Sequence, residues 1–156
     1  MRKLLITLTL IAALGTGGVF AQSGYWAGVS AGYPGAQVHF GVENVFAGLD
    51  VRANVGFNYY GFGAPTIGVG VDVLYGLDAD TGAVPINVYV GGGPNFTFVG
   101  GNLGAGVMAF VGGEYALGDL GIPELSVFLE VGPAVKLLPQ PFGFDFAGRL
   151  GVNYRF

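Results

Sequence analysis

Residues 149–156, RLGVNYRF, alternate without a break. Leu150, Val152, Tyr154 and Phe156 fall on one face; Arg149, Gly151, Asn153 and Arg155 fall on the other. A period of two marks a strand whose two faces meet different surroundings. This alternation constrains the fold more than any other feature, because it runs through the chain. Val38, Phe40 and Val42 alternate with His39, Gly41 and Glu43. Leu49, Val51, Val55 and Phe57 oppose Asp50, Arg52, Asn54 and Asn58. Ile67, Val69, Val71 and Val73 oppose Asp72 and glycines, and Leu103, Val107, Val111 and Tyr115 oppose Gly104, Gly106, Met108 and Glu114. Leu125, Val127, Leu129 and Val135 oppose Ser126, Phe128, Glu130 and Lys136, and Phe144 and Phe146 oppose Asp145.

From Tyr25 onward the chain divides into eight such segments: 25–33, 36–43, 46–60, 66–76, 86–98, 103–117, 124–138 and 144–156. Turn signals separate them: Pro34-Gly35, Asn44, Gly61 to Pro65, LDADTGAVP, Gly100-Gly101-Asn102, GDLGIP and PQPFG. No helical period interrupts them. An even number of strands joined by short connections predicts an antiparallel up-and-down meander. Pro94 and Pro133 lie inside the fifth and seventh segments. Proline cannot donate to a strand ladder, so a bulge or a strand end is expected at each.

Residues 1–21 have another purpose. Arg2 and Lys3 precede an apolar run, Leu4 to Leu14, and Val19-Phe20-Ala21 supplies a cleavage site. This is the pattern of a secretory signal peptide, expected to be removed after Ala21. The run is too short for a membrane-spanning helix. Residues 22–156 then form one domain, and loss of two cations takes the formal charge from −4 to about −6.

Which face is inside follows from composition. Only 10% of residues are charged, 52% are hydrophobic and 31 are glycine. Soluble surfaces carry about a quarter or more charged residues. The polar face here is instead small and mixed in sign: Asp50, Asp72, Glu114, Glu130 and Asp145 against Arg52, Lys136, Arg149 and Arg155. That face suits a narrow lumen, and the aliphatic face suits lipid. Aromatics gather toward segment ends (Tyr25, Tyr33, Tyr59, Tyr75, Tyr115, Phe144, Tyr154), as interfacial girdles require. A bilayer offers backbone groups no hydrogen-bond partners, so the sheet must close. The expected fold is all-β: an eight-stranded antiparallel up-and-down transmembrane β-barrel. A soluble, lipocalin-like barrel with the faces reversed is the rival.

The signal peptide, the eight amphipathic strands and the ending LGVNYRF together resemble the small outer-membrane barrels of the OmpA/OmpX-like type. The resemblance spans about residues 24–156 in architecture. It implies an outer-membrane location among outer-membrane lipids. It also implies that Leu150, Val152, Tyr154 and Phe156 are read by the barrel-assembly machinery. The connections here are shorter than the long outer loops usual in that group.

Chemical signals are sparse. There is no cysteine, and no cluster of His, Asp and Glu at metal-ligand spacing. His39 is the only histidine, with Ser30 a possible neighbour on the preceding strand and no motif around it. DADTG lacks the full ligand set of a calcium loop. The glycine-rich stretch GGGPNFTFVGGNLG lacks the lysine and helix of a phosphate loop. The acidic balance argues against nucleic acid. No enzymatic activity, cofactor or metal is expected. The nine charged residues of the polar face are the candidate site. They act either as a structural plug or as the lining of a narrow channel for ions or small solutes, with Asp50, Arg52, Glu130, Lys136 and Arg149 along the path.

Overall fold

A computed structural model describes residues 24–58, 66–79, 81–82, 84–99, 102–138 and 142–156. The signal-peptide reading, Tyr59 and the turns at 61–65, 100–101 and 139–141 lie outside these residues. Eight strands follow one another: β1 (Tyr25–Tyr33), β2 (Gly35–Phe46), β3 (Leu49–Asn58), β4 (Thr66–Leu77), β5 (Ile86–Val99), β6 (Asn102–Ala116), β7 (Leu125–Leu138) and β8 (Gly143–Arg155). Each pairs antiparallel with the next, and β1 closes the barrel against β8 with Trp26 opposite Arg155 and Val29 opposite Val152. Closure leaves no edge strand to protect.

Two ends can be distinguished. The proximal end holds the start of β1, the end of β8 and the connections 47–48, 78–85 and 117–124. The distal end holds Pro34 and the strand ends at Asn58, Thr66, Val99, Asn102, Leu138 and Gly143. In sequence, the distal connections contain no charged residue, whereas Asp78, Asp80, Asp119 and Glu124 fall in the proximal ones.

The aliphatic row faces outward. Val38 is 55% exposed and Leu150 63%, while His39, Arg52, Asp72, Glu114 and Glu130 are buried. The lipocalin-like arrangement, which needs the reverse, is ruled out. Among the described residues no charged side chain alternates onto the aliphatic side of a strand. Water would not solvate such a wall; hydrocarbon does.

Three local features depart from the sequence reading. Phe46 ends β2 rather than opening β3, because Ala47 and Gly48 take positive φ values of 50° and 79°. Two such residues in succession make the mirror-image turn that matches strand twist. The β2–β3 register also shifts between Val42 and Phe46, and the bulge carries Asn44 at φ 52°. Neither Pro94 nor Pro133 produces a bulge or a strand end. The β4–β5 ladder passes from Gly70↔Asn95 to Val73↔Gly92 without changing register. The β6–β7 ladder likewise passes from Met108↔Ala134 to Val111↔Val131. On its other side each proline stays paired, Pro94 with Val107 and Pro133 with Phe146. The missing donor is thus accommodated as a two-pair gap toward the preceding strand. The glycine before each proline makes the close approach: a Cβ on Gly93 or Gly132 would collide with the carbonyl oxygen of Val71 or Ala109.

Candidate functional site

The inward row builds the lumen. Its centre is set by register. Arg52 on β3 stands opposite Asp72 on β4, and Glu130 on β7 stands opposite Arg149 on β8. In an eight-stranded ring these two strand pairs face each other. The two cross-strand ion pairs therefore meet in the middle. Arg52 reaches Asp72 at 2.8 Å and crosses to Glu130 at 2.7 Å. Arg149 bonds Glu130 beside it and crosses to Asp72 at 3.2 Å. Asn54 donates to Asp72 at 2.8 Å, and the Tyr89 hydroxyl donates to Glu130 at 2.7 Å. Two cations and two anions alternate around this ring, so its net charge is zero. Arg52 and Glu130 are each 1% exposed. Charges so enclosed are tolerated only when their hydrogen bonds are satisfied, as they are here.

Aromatic rings brace the ring of charges. Phe110 lies under both guanidinium groups, 5.2 Å from Arg52 and 5.0 Å from Arg149, and Trp26 lies 5.9 Å from Arg52. Guanidinium groups bind the electron-rich face of a ring. His39 sits edge-on to Trp26 and Phe128.

The glycines explain how an eight-stranded lumen holds four large rings. A Cβ on Gly41 would strike the Trp26 indole, on Gly112 the Tyr89 ring, on Gly151 the Phe128 ring and on Gly91 the Phe110 ring. In the paired register Trp26 is opposite Gly41, Tyr89 opposite Gly112, Phe110 opposite Gly91 and Phe128 opposite Gly151. Each ring lies flat across the glycine on the neighbouring strand. The glycines are seats, which the sequence reading took only as small filler.

A second group occupies the proximal half. Glu114 accepts from Ser126, from Asn153 at 2.8 Å and from Arg155 at 2.8 Å. Arg155 also reaches Glu43 at 3.1 Å, and His39 Nε2 bonds Asn153 at 2.8 Å. At the distal end Tyr33 donates to Asp145 at 2.7 Å, with Lys136 3.8 Å from the same carboxylate. Asp50 joins none of these groups: its carboxylate accepts from the Asn44 backbone at 2.8 Å and holds the β2 bulge.

The nine charged residues named from sequence thus divide four ways. Arg52, Asp72, Glu130 and Arg149 form the central ring, Glu114 and Arg155 the proximal group, and Lys136 and Asp145 the distal pair; Asp50 braces a turn. Sequence reading missed Trp26, Leu74, Tyr89 and Phe110 on the inner face, and Glu43 as a partner of Arg155. The available signal was phase: Tyr89 and Phe110 fall between outward-facing residues, Val88 and Val90 for one, Ala109 and Val111 for the other. Ser30 and His39 share the inner face, but His39 bonds Asn153 and the Ser30 hydroxyl has no hydrogen-bond partner. No group of three metal-ligating side chains comes together among the described residues.

Two cavities flank the ring. The distal one is about 120 Å³ and the proximal one about 160 Å³. Asp72, Glu130 and Arg149 floor the first; Arg52 and Tyr89 border the second.

Comparison with known proteins gives the fold. A major outer membrane protein of Thermus thermophilus superposes with a TM-score of 0.59 at 18% identity, over 86% of this chain and 99% of that one. The chain has the fold of the small outer-membrane barrels. Neisserial surface protein A superposes on it with a TM-score of 0.53 at 13% identity, covering 86% of this chain and 94% of its own. The N-terminal β-barrel domain of Pseudomonas aeruginosa OprF gives 0.50 at 12% identity, over 86% and 96%. No protein-family model and no curated protein matches the sequence. At these identities the likeness is one of backbone, so the ring and cavities of this barrel are read from its own residues.

Proposed function

We propose that this barrel is a structural component of the outer membrane whose lumen is closed by the ring of Arg52, Asp72, Glu130 and Arg149. The observation that carries the reading is the span of that ring. It bonds from the β3–β4 wall to the β7–β8 wall, with its central members nearly inaccessible. An eight-stranded lumen is about filled by its own side chains. The aliphatic wall meets outer-membrane lipids. Leu150, Val152, Tyr154 and Phe156 on β8 present the outward row to the barrel-assembly machinery during insertion. The protein is read as non-catalytic; turnover of an ester or phospholipid by the purified barrel, lost on His39→Asn, would overturn that.

Planar-bilayer recording tests the closed lumen. The expected result is a flat trace at moderate voltage. A second reading, a gated channel for ions or small solutes, is favoured by the cavities lying on both sides of a single layer of charges. Steady unitary current steps from the purified barrel would replace the structural reading with the channel.

A further inference from the structure

The distal cavity differs in chemistry from the layer beneath it, and we infer that it is a binding site for a small neutral polyol. One wall carries uncharged hydrogen-bonding groups: Gln37 on β2, Asn54 on β3, and Asn95 and Thr97 on β5. The facing wall is apolar: Met108 on β6, Ala134 on β7 and Ala147 on β8, with the Phe110 ring at the floor. A polyol has the same two-sidedness, hydroxyls that donate and accept on one side and C–H groups on the other. Asn54 is 92% buried (8% exposed), and while its Nδ2 is committed to Asp72 its Oδ1 has no partner. Gln37 Nε2 is likewise buried without a partner. Both atoms belong to residues that line the cavity but are themselves enclosed, so a ligand pairs them by drawing them from the wall, and buried polar groups are costly to leave unpaired.

Charge excludes ions. The floor is the neutral ring, and the outer lip carries one cation and one anion, Lys136 and Asp145, 3.8 Å apart. Gly56, Gly68 and Gly70 line it, so no side chain from these positions enters the space. At about 120 Å³ it holds roughly four waters at ~30 Å³ each, the size of a three- or four-carbon polyol. Tyr33 and Lys136, which line it, are exposed at the distal end.

The test is protein-detected NMR on the refolded barrel in phosphocholine micelles, following side-chain amides while glycerol or erythritol is added. Saturable shifts are expected at Gln37, Asn54 and Asn95, with Asn153 in the proximal half unmoved. Gln37→Leu and Thr97→Val should each weaken binding at least threefold, and glycerate should give no saturable shift. Thr97→Val keeps the side-chain volume, and its heat-modifiable gel mobility shows that it has folded; it decides the matter if Gln37→Leu does not fold. The inference is overturned if wild type shows no saturable shift, if Asn153 responds equally, if glycerate binds as well, or if folded Thr97→Val binds unchanged. The readout involves no current, so it stands or falls apart from the question of conductance.

Discussion

The two halves of the lumen are built from the same alternating strands, and each encloses a cavity, yet what lies across their glycines differs. Below the ring, every large inward ring has a glycine opposite to lie across. Trp26 lies on Gly41 and Phe128 on Gly151, and Tyr89 at the level of the ring lies on Gly112. Above the ring the glycines remain but the aromatic partners do not: Gly68 and Gly70 stand opposite Thr97 and Asn95. Glycine in a lumen therefore has two opposite consequences. Beside an aromatic it permits close packing; beside a short amide or hydroxyl it leaves a hole. What decides between them is the residue across the ladder, not the glycine.

If the ring separates these halves, damaging it should be the most costly change. Arg52→Leu leaves Asp72 and Glu130 enclosed with half their countercharge. Removing one partner of a buried ion pair costs about 3–5 kcal/mol. Urea unfolding in lipid vesicles should show a loss of that order, and bilayer recording should show current where wild type shows none. A loss below about 1 kcal/mol would mean that the ring is wetter than its burial implies.

The outer wall supplies the next largest effect. Val71 lies mid-strand on β4 and is 45% exposed on the aliphatic side. Val71→Arg places a charge against hydrocarbon, at a cost of about 2–4 kcal/mol near the midplane. The same substitution on a water-exposed surface would be nearly neutral. Unfolding in vesicles against unfolding in a short-chain detergent separates the two settings.

A smaller effect distinguishes seat glycines from open ones. A Cβ on Gly112 collides with the Tyr89 ring, whereas nothing lies within 4 Å of one on Gly76. Overpacking of this kind typically costs about 1–3 kcal/mol. Gly112→Ala should fall in that range, and Gly76→Ala should stay within about 0.5 kcal/mol of wild type. Equal effects would show that the rings shift freely and that the seats are incidental.

How far the sequence reveals this follows from what alternation encodes. Val38 and His39, or Leu129 and Glu130, announce their faces because one is aliphatic and the other charged. Eight strands come from that period, closure comes from the lipid-facing wall, and most strand ends fall within a residue or two of the turn signals. Apolar residues on the inner face escape the same test. Leu74, Tyr89 and Phe110 resemble their outward neighbours, and only their phase gives them away. Ion pairing is harder still. Arg52 and Glu130 are 78 residues apart, and nothing local says that β3 faces β7. That requires knowing that the sheet closes and which residue stands opposite which. The seats need the same knowledge, since Gly112 gains its meaning only from Tyr89 across the ladder.

The distal half offers the one substitution in this series expected to gain stability. Ala134 is half-buried and lines the cavity opposite Met108 on β6, where added methyl groups enter open space rather than a position already taken by a ring. Each buried methylene contributes ~0.8 kcal/mol, so Ala134→Val should raise the unfolding free energy by about 1 kcal/mol. The change also occupies space that a polyol would fill, so glycerol affinity should fall as stability rises. The opposite signs matter, because enlarging a residue beneath a seated ring, as at Gly112, lowers stability. If Ala134→Val is destabilising instead, the wall at Ala134 is as tightly filled as the aromatic seats, and the contrast between them fails.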